Sequence, residues 1–168
     1  MIYEIAGLRI DIQNRCPYTT EFCKEYLSSD QSSPAEFSVA VTDEQFYEEK
    51  AVSFAYADGY VENICIYRLI CEKMPRYNRF LLHSAVLGVD GKGYAFLGKS
   101  GAGKTTHTGL WLSHVDGAYI LNGDKPILEF DGENFYAHGT PWMGKEGLGR
   151  KGSLPVCGLC FIEQAKEN

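Results

Sequence analysis

The apolar positions change their period along the chain, and each change predicts an element. Ile5, Leu8, Ile10 and Ile12 alternate on either side of Gly7, the pattern of a hairpin or of edge strands over residues 2–12. Behind Thr19 and Thr20, Phe22 stands four residues before Tyr26 and Cys23 four before Leu27, so either threonine can cap a short helix. Residues 28–34 are a polar loop. Phe37, Val39 and Val41 then alternate as a strand, and Thr42-Asp43-Glu44-Gln45 has the form of a capping box that opens a helix to about Lys50.

Between Val61 and Met74, Ile64, Cys65, Tyr67, Leu69, Ile70 and Cys71 make a broad helical face, and Pro75 ends that helix. Two strands are expected next, over 80–89 and 92–97, joined at Asp90-Gly91, a dipeptide that favours a tight hairpin turn. The second runs straight into a glycine-rich loop. A helix from Lys104 to about His114 follows, then a strand over 118–121 and the run Asn122-Gly123-Asp124. The remainder reads as strands between glycine loops, closing on a buried strand from Leu154 to Ile162. The organisation expected is a small α+β lobe over 1–78 and a nucleotide-binding core over 79–168.

Composition narrows the class without choosing a function. Of 168 residues, 45% are apolar and 23% charged, ordinary for a globular domain. There is no run of about 18 apolar residues and no basic start followed by an apolar stretch, so neither a transmembrane helix nor a signal peptide is expected, and the cytoplasm is the default compartment. A net charge of −6 gives no general attraction to nucleic acid or to an anionic membrane. Six cysteines stand at 16, 23, 65, 71, 157 and 160. Cys157 and Cys160 have the spacing of half a zinc site, but no second close pair completes it, and core packing within the last strand is the expectation.

The chemistry is concentrated in Gly98-Lys99-Ser100-Gly101-Ala102-Gly103-Lys104-Thr105, which has the form G-x-x-x-x-G-K-[ST] of a phosphate-binding P-loop. Gly98, Gly101 and Gly103 allow the backbone to turn its N–H groups toward phosphate oxygens. Lys104 supplies a compact positive charge for the β- and γ-phosphates. Thr105, with Thr106 behind it, opens a helix whose unpaired N–H groups favour an anion, and the Thr105 hydroxyl can ligate Mg²⁺. Asp124 follows the 118–121 strand and is therefore expected at the strand edge that carries the loop, as a metal ligand or as a proton acceptor.

Leu82-His83-Ser84-Ala85, the loop Gly98–Thr105, Asn122-Gly123-Asp124-Lys125-Pro126 and Gly139-Thr140-Pro141-Trp142 together resemble the HPr kinase/phosphorylase family, and more distantly the phosphoenolpyruvate carboxykinases. The run 81–164, about half the chain, looks like the subgroup found beside peptide-modification genes. The resemblance implies a mixed α/β, antiparallel-rich P-loop core that uses ATP and Mg²⁺. It implies that Asp124 is general base on an acceptor hydroxyl, Lys104 phosphate clamp, Thr105 a metal ligand together with Asp124, and His83 an active-site residue. Two departures stand out. The family carries two adjacent acids, and Gly123 replaces the first; and relatives continue into further strands, helices and a basic loop, so the chain is either a fragment or another element takes that part.

Other residues are open to a task in the site or to plain packing. His138 could face the metal region, Trp142 and Met143 could line a pocket, and residues 144–153 read as a mobile loop whose Lys145, Arg150 and Lys151 could bring positive charge. His107 and His114 read as surface or packing residues. The leading expectation is an ATP-dependent kinase acting on a serine or other hydroxyl of a peptide, small protein or metabolite, with no nucleic-acid or membrane partner and with homo-oligomerisation open. The alternative is a catalytically weak nucleotide-binding module with a regulatory or scaffold role.

Overall fold

The alternation around Gly7 becomes an antiparallel pair, β1 (Ile2–Ile5) and β2 (Leu8–Gln13), in a computed structural model that describes residues 1–165. Ile5, Ile10 and Ile12 are fully buried, with Tyr3 beside them. β3 (Phe37–Ala40) pairs with β2 in parallel and completes a three-stranded sheet. The chain divides into two units by its internal contacts, Met1–Tyr77 and Asn78 to the C-terminus.

In the first unit α1 (Pro17–Phe22) starts earlier than the threonines suggested. Pro17 occupies the first turn, where its missing N–H costs nothing. The buried Glu62 carboxylate accepts from the backbone N–H of Arg15 at 2.6 Å and of Cys16 at 2.8 Å. A carboxylate from a later helix thus serves the entry, and Thr19 lies inside the helix, buried. A 3₁₀ turn over Lys24–Tyr26 follows, instead of a continuing α-helix. The capping box of α2 (Asp43–Val52) forms in both directions: Gln45 N donates to Thr42 Oγ1 at 3.2 Å, and Thr42 N to Gln45 Oε1 at 3.0 Å. α3 (Asp58–Lys73) passes at Met74 into a 3₁₀ turn that contains Pro75. Arg68 of α3 pairs with the buried Glu49 of α2.

The second unit is a mixed α/β arrangement around a curled seven-stranded sheet in the order β4-β8-β9-β10-β6-β5-β7. Its strands are β4 (Arg79–Leu81), β5 (Ala85–Val89), β6 (Lys92–Leu97), β7 (Tyr119–Asn122), β8 (Ile127–Phe130), β9 (Phe135–His138) and β10 (Ser153–Phe161). All neighbours are antiparallel except β10 and β6. The β5–β6 turn has φ 49° at Asp90 and 73° at Gly91, the doubly left-handed form that suits the strand twist. Val86, Ala95, Leu121, Leu128, Ala137 and Leu154 form the core, and α4 (Lys104–His114) packs on β5 and β6.

Two of the expected strands come out differently. The strand predicted over 80–89 is two strands, because Leu82 N turns to Pro126 O and Ser84 N to Asp124 O, each at 3.2 Å, as the chain leaves β8 for β6 and β7. His83 therefore lies at a break, with its side chain 61% exposed, and not inside an apolar strand. The strand predicted as buried from Leu154 to Ile162 buries only Leu154 well; Cys157, Leu159, Cys160 and Phe161 are exposed. Its hydrogen-bonding edges are shared between β9 and β6, but edge pairing does not cover a strand's faces. Cys157 and Cys160 are thus not core residues.

Candidate functional site

Strand directions decide which residues meet. β6 and β10 run in parallel, and β5 is antiparallel to both β6 and β7, so β6, β7 and β10 end at the edge where β5 begins. That edge collects the loop after Leu97, the Asn122-Gly123-Asp124 turn, the His83 break and the residues following Phe161.

The glycine-rich loop has the backbone its sequence requires. Gly101 has φ 80° and Gly103, the N-cap of α4, φ 102°, both in the left-handed region where a side chain is strained. No side chain caps α4, so its first N–H groups are left open to an anion. Lys104 Nζ donates to the carbonyls of Gly98 at 2.8 Å and Lys99 at 3.4 Å, which curls the side chain back over the loop it belongs to. Ser100, Gly101, Gly103, Lys104, Thr105 and Thr106 line one cavity of about 530 Å³, and His83 and Asp124 line it too. Gly98, Lys99 and Ala102 line a second cavity, with Ser100 and Gly101 common to both.

Asp124 is held from several directions. Its Oδ1 is 3.0 Å from His83 Nε2, and its Oδ2 is 3.2 Å from Lys125 Nζ. Behind it lies Asn122, fully buried, whose Oδ1 accepts from the N–H groups of Asp124 at 2.9 Å and Lys125 at 2.7 Å. Asn122 Nδ2 donates to Thr140 Oγ1 at 3.0 Å and Thr140 O at 3.2 Å, while Thr140 Oγ1 donates to Lys125 O at 2.8 Å. Asn122 and Thr140 stand within the motifs of the resemblance, which gives neither of them a task. The available signal was polar residue types next to an apolar strand and a Gly-x-Pro turn, where side chains commonly bond to backbone.

The stretch after Trp142 folds back over this turn. Gly123 N donates to Leu148 O, and Arg150 N to Leu121 O, each at 3.0 Å. A Cβ at Gly123 would stand 3.1 Å from both Met143 O and Leu148 O, so a side chain at this position would crowd two carbonyl oxygens. Met143 and Lys145 line the cavity, with Glu146 near the lysine. Trp142 is buried, and Arg150 lies with its guanidinium carbon 4.0 Å from the centre of the Tyr119 ring instead of in the cavity.

No family model and no curated protein matches this chain.

The remaining histidines stand elsewhere. His138 does not face the candidate site: its Nε2 is 2.8 Å from Glu129 Oε2, and Arg79 Nη2 is 2.8 Å from Glu129 Oε1. Burial, opposed by the Glu129 partner, lowers the His138 pKa. His107 accepts from Trp111 Nε1 at 3.3 Å and packs against Phe96, whereas His114 is exposed. Among the described residues no group of three or more His, Cys, Asp or Glu could hold a metal ion, and no helix is long and apolar enough to cross a membrane.

Proposed function

We propose that the protein is an ATP-dependent kinase that transfers a γ-phosphoryl group to a hydroxyl, of serine type, on a peptide, small protein or metabolite. One observation carries this reading: Lys104 and Thr105 at the start of α4 share a single cavity with Asp124, which is paired to His83. A loop of open N–H groups with a lysine suits a triphosphate, and a carboxylate across the same space suits a proton leaving an attacking hydroxyl. On this reading the second unit is a P-loop core of the HPr kinase and phosphoenolpyruvate carboxykinase type.

The donor set also fits Mg²⁺, a hard cation that takes oxygen ligands and keeps several waters. The Thr105 hydroxyl and the Asp124 carboxylate are oxygen donors lining the same cavity. When bound, the ion would neutralise charge between the β- and γ-phosphates. In transfer, the acceptor oxygen bonds to the γ-phosphorus as the bond to the β,γ-bridging oxygen breaks, and the hydroxyl proton passes to Asp124. Lys104 leaves the Gly98 and Lys99 carbonyls for the phosphates. His83 and Lys125 hold the two Asp124 oxygens in orientation.

The glycine at 123, crowded by two carbonyl oxygens, favours a second reading, a nucleotide-binding module with weak transfer or none. Incubation with γ-labelled ATP, Mg²⁺ and serine-containing peptides distinguishes the two. Label transfer that Asp124→Asn slows at least about 100-fold, with ATP binding retained, supports the kinase. No transfer to any acceptor, with Asp124→Asn altering neither binding nor basal hydrolysis, overturns it.

A further inference from the structure

The phosphate loop has a second cavity of about 600 Å³, which the proposed transfer chemistry does not use. Its walls are the loop residues 98–102 and the segment 161–164. That segment is tied down at two points: Ile162 N donates to Leu97 O at 2.7 Å, and Gln164 Nε2 to Gly101 O at 2.9 Å. Gly98 permits the approach, since a Cβ there would lie 2.7 Å from Ile162 O.

The two cavities differ in chemistry. The cavity holding Asp124 sets Lys104, Asp124, Lys145 and Glu146 among small and aliphatic residues, and no Phe, Tyr or Trp stands among its described lining residues. The second has Phe161 on its wall, 77% exposed, so an aromatic face is left in water beside a loop that suits phosphate. Its volume is within the roughly 300–1,000 Å³ common for small-molecule sites. Ser100 and Gly101 belong to both cavities, so the second adjoins the loop on which the phosphates are proposed to sit.

We infer that this cavity is the nucleobase subsite, with Phe161 stacking on a purine and Gln164 reading its 6-position. The inference rests on the phosphate-loop reading proposed above. The Gly101 carbonyl fixes the Gln164 amide, because the reverse orientation would set two oxygens against each other. Gln164 Oε1 is then left to accept from a base, and Glu163 adds a carboxylate to the same wall. Acceptors select a donor, which matches the 6-amino group of adenine and opposes the 6-carbonyl of guanine or hypoxanthine.

Calorimetry of the full chain and of Phe161→Ala, with ATP, GTP, ITP and inorganic triphosphate in Mg²⁺, tests this. The expected result is ATP tighter than inorganic triphosphate, with GTP and ITP about threefold to tenfold weaker than ATP, the scale of one hydrogen bond. Phe161→Ala should weaken ATP about tenfold, the scale of one base–aromatic stack, and leave inorganic triphosphate unchanged. The unchanged triphosphate affinity also shows that the variant loop is folded. ATP no tighter than inorganic triphosphate, ATP binding unaffected by Phe161→Ala, or GTP or ITP matching ATP would overturn the subsite while leaving the phosphate loop standing. Failure of inorganic triphosphate and ATP alike to bind the unaltered chain would overturn both.

Discussion

Asn122 holds Asp124 from behind: its side-chain oxygen accepts the Asp124 backbone N–H at 2.9 Å, and its amide nitrogen is spent on Thr140. The carboxylate facing the cavity is therefore aimed by a buried amide that never reaches the cavity itself. Asn122→Ala leaves the partly buried N–H groups of Asp124 and Lys125 without their acceptor. It should cost about 2–3 kcal/mol of unfolding free energy, read from urea denaturation. Asn122→Asp keeps the acceptor but sets a carboxylate against the Thr140 carbonyl, and should be destabilised as well. Wild-type stability in the alanine variant would show that the turn holds Asp124 without it.

Lys104 bonds to two carbonyls of its own loop, so on the proposed reading a nucleotide has to draw it away. Even so, Lys104→Ala should lose roughly 2–4 kcal/mol of Mg·ATP binding or transition-state stabilisation, because no other loop side chain but Lys99 carries positive charge. Equal ATP affinity for the variant and the unaltered chain in calorimetry would remove the phosphate-loop assignment.

Asp124→Asn keeps the loop amides and Lys104, and it removes a negative charge near the triphosphate. ATP affinity should stay near normal or rise slightly, while transfer slows at least about 100-fold. A shifted Mg²⁺ requirement with partial rescue by Mn²⁺ would assign the carboxylate chiefly to the metal. The readout is initial transfer rate against metal concentration.

The cysteines should divide by reactivity in the native protein. Cys157 and Cys160 are exposed on β10, whereas Cys23 is fully buried and burial pushes its thiol up to about 12. A thiol reagent at pH 8, followed by peptide mapping, should modify Cys157 and Cys160 first and Cys23 only on unfolding. Early labelling of Cys23 would contradict its place in the first unit's core.

His138 should make stability fall in mild acid. Its folded pKa is below the ordinary value of 6.5, so the unfolded chain binds the proton more readily. The stabilisation is complete above that value and is lost as pH falls from it through the lowered folded value. Urea midpoints at pH 7.5 and pH 5.5 should therefore separate more for the unaltered chain than for His138→Gln. Equal separations would place the acid sensitivity elsewhere.

What the sequence determined by itself was local. The Gly7 hairpin, the Thr42 capping box, the Asp90-Gly91 turn and the helix from Lys104 to His114 each depend on residues within a few positions of one another. Their physics is short-range: strand alternation, side-chain caps, left-handed turn residues and open N–H groups at a helix start. The glycine loop was legible for the same reason.

Tertiary structure decided the partners. His83 meets Asp124 because β5 lies between β6 and β7, and no periodicity encodes that order. Glu62, far off in sequence, accepts the N–H groups of Arg15 and Cys16 at the entry to α1, and the helix begins ahead of the threonines that looked like caps. His138 turned to Glu129 and Arg79, its neighbours across β8 and β4, and not to the glycine-rich loop. The crowding of Gly123 by two carbonyls and the exposure of Cys157 and Phe161 likewise follow from how chain segments stack. Alternation says which residues of a strand share a face; only packing says whether anything covers that face.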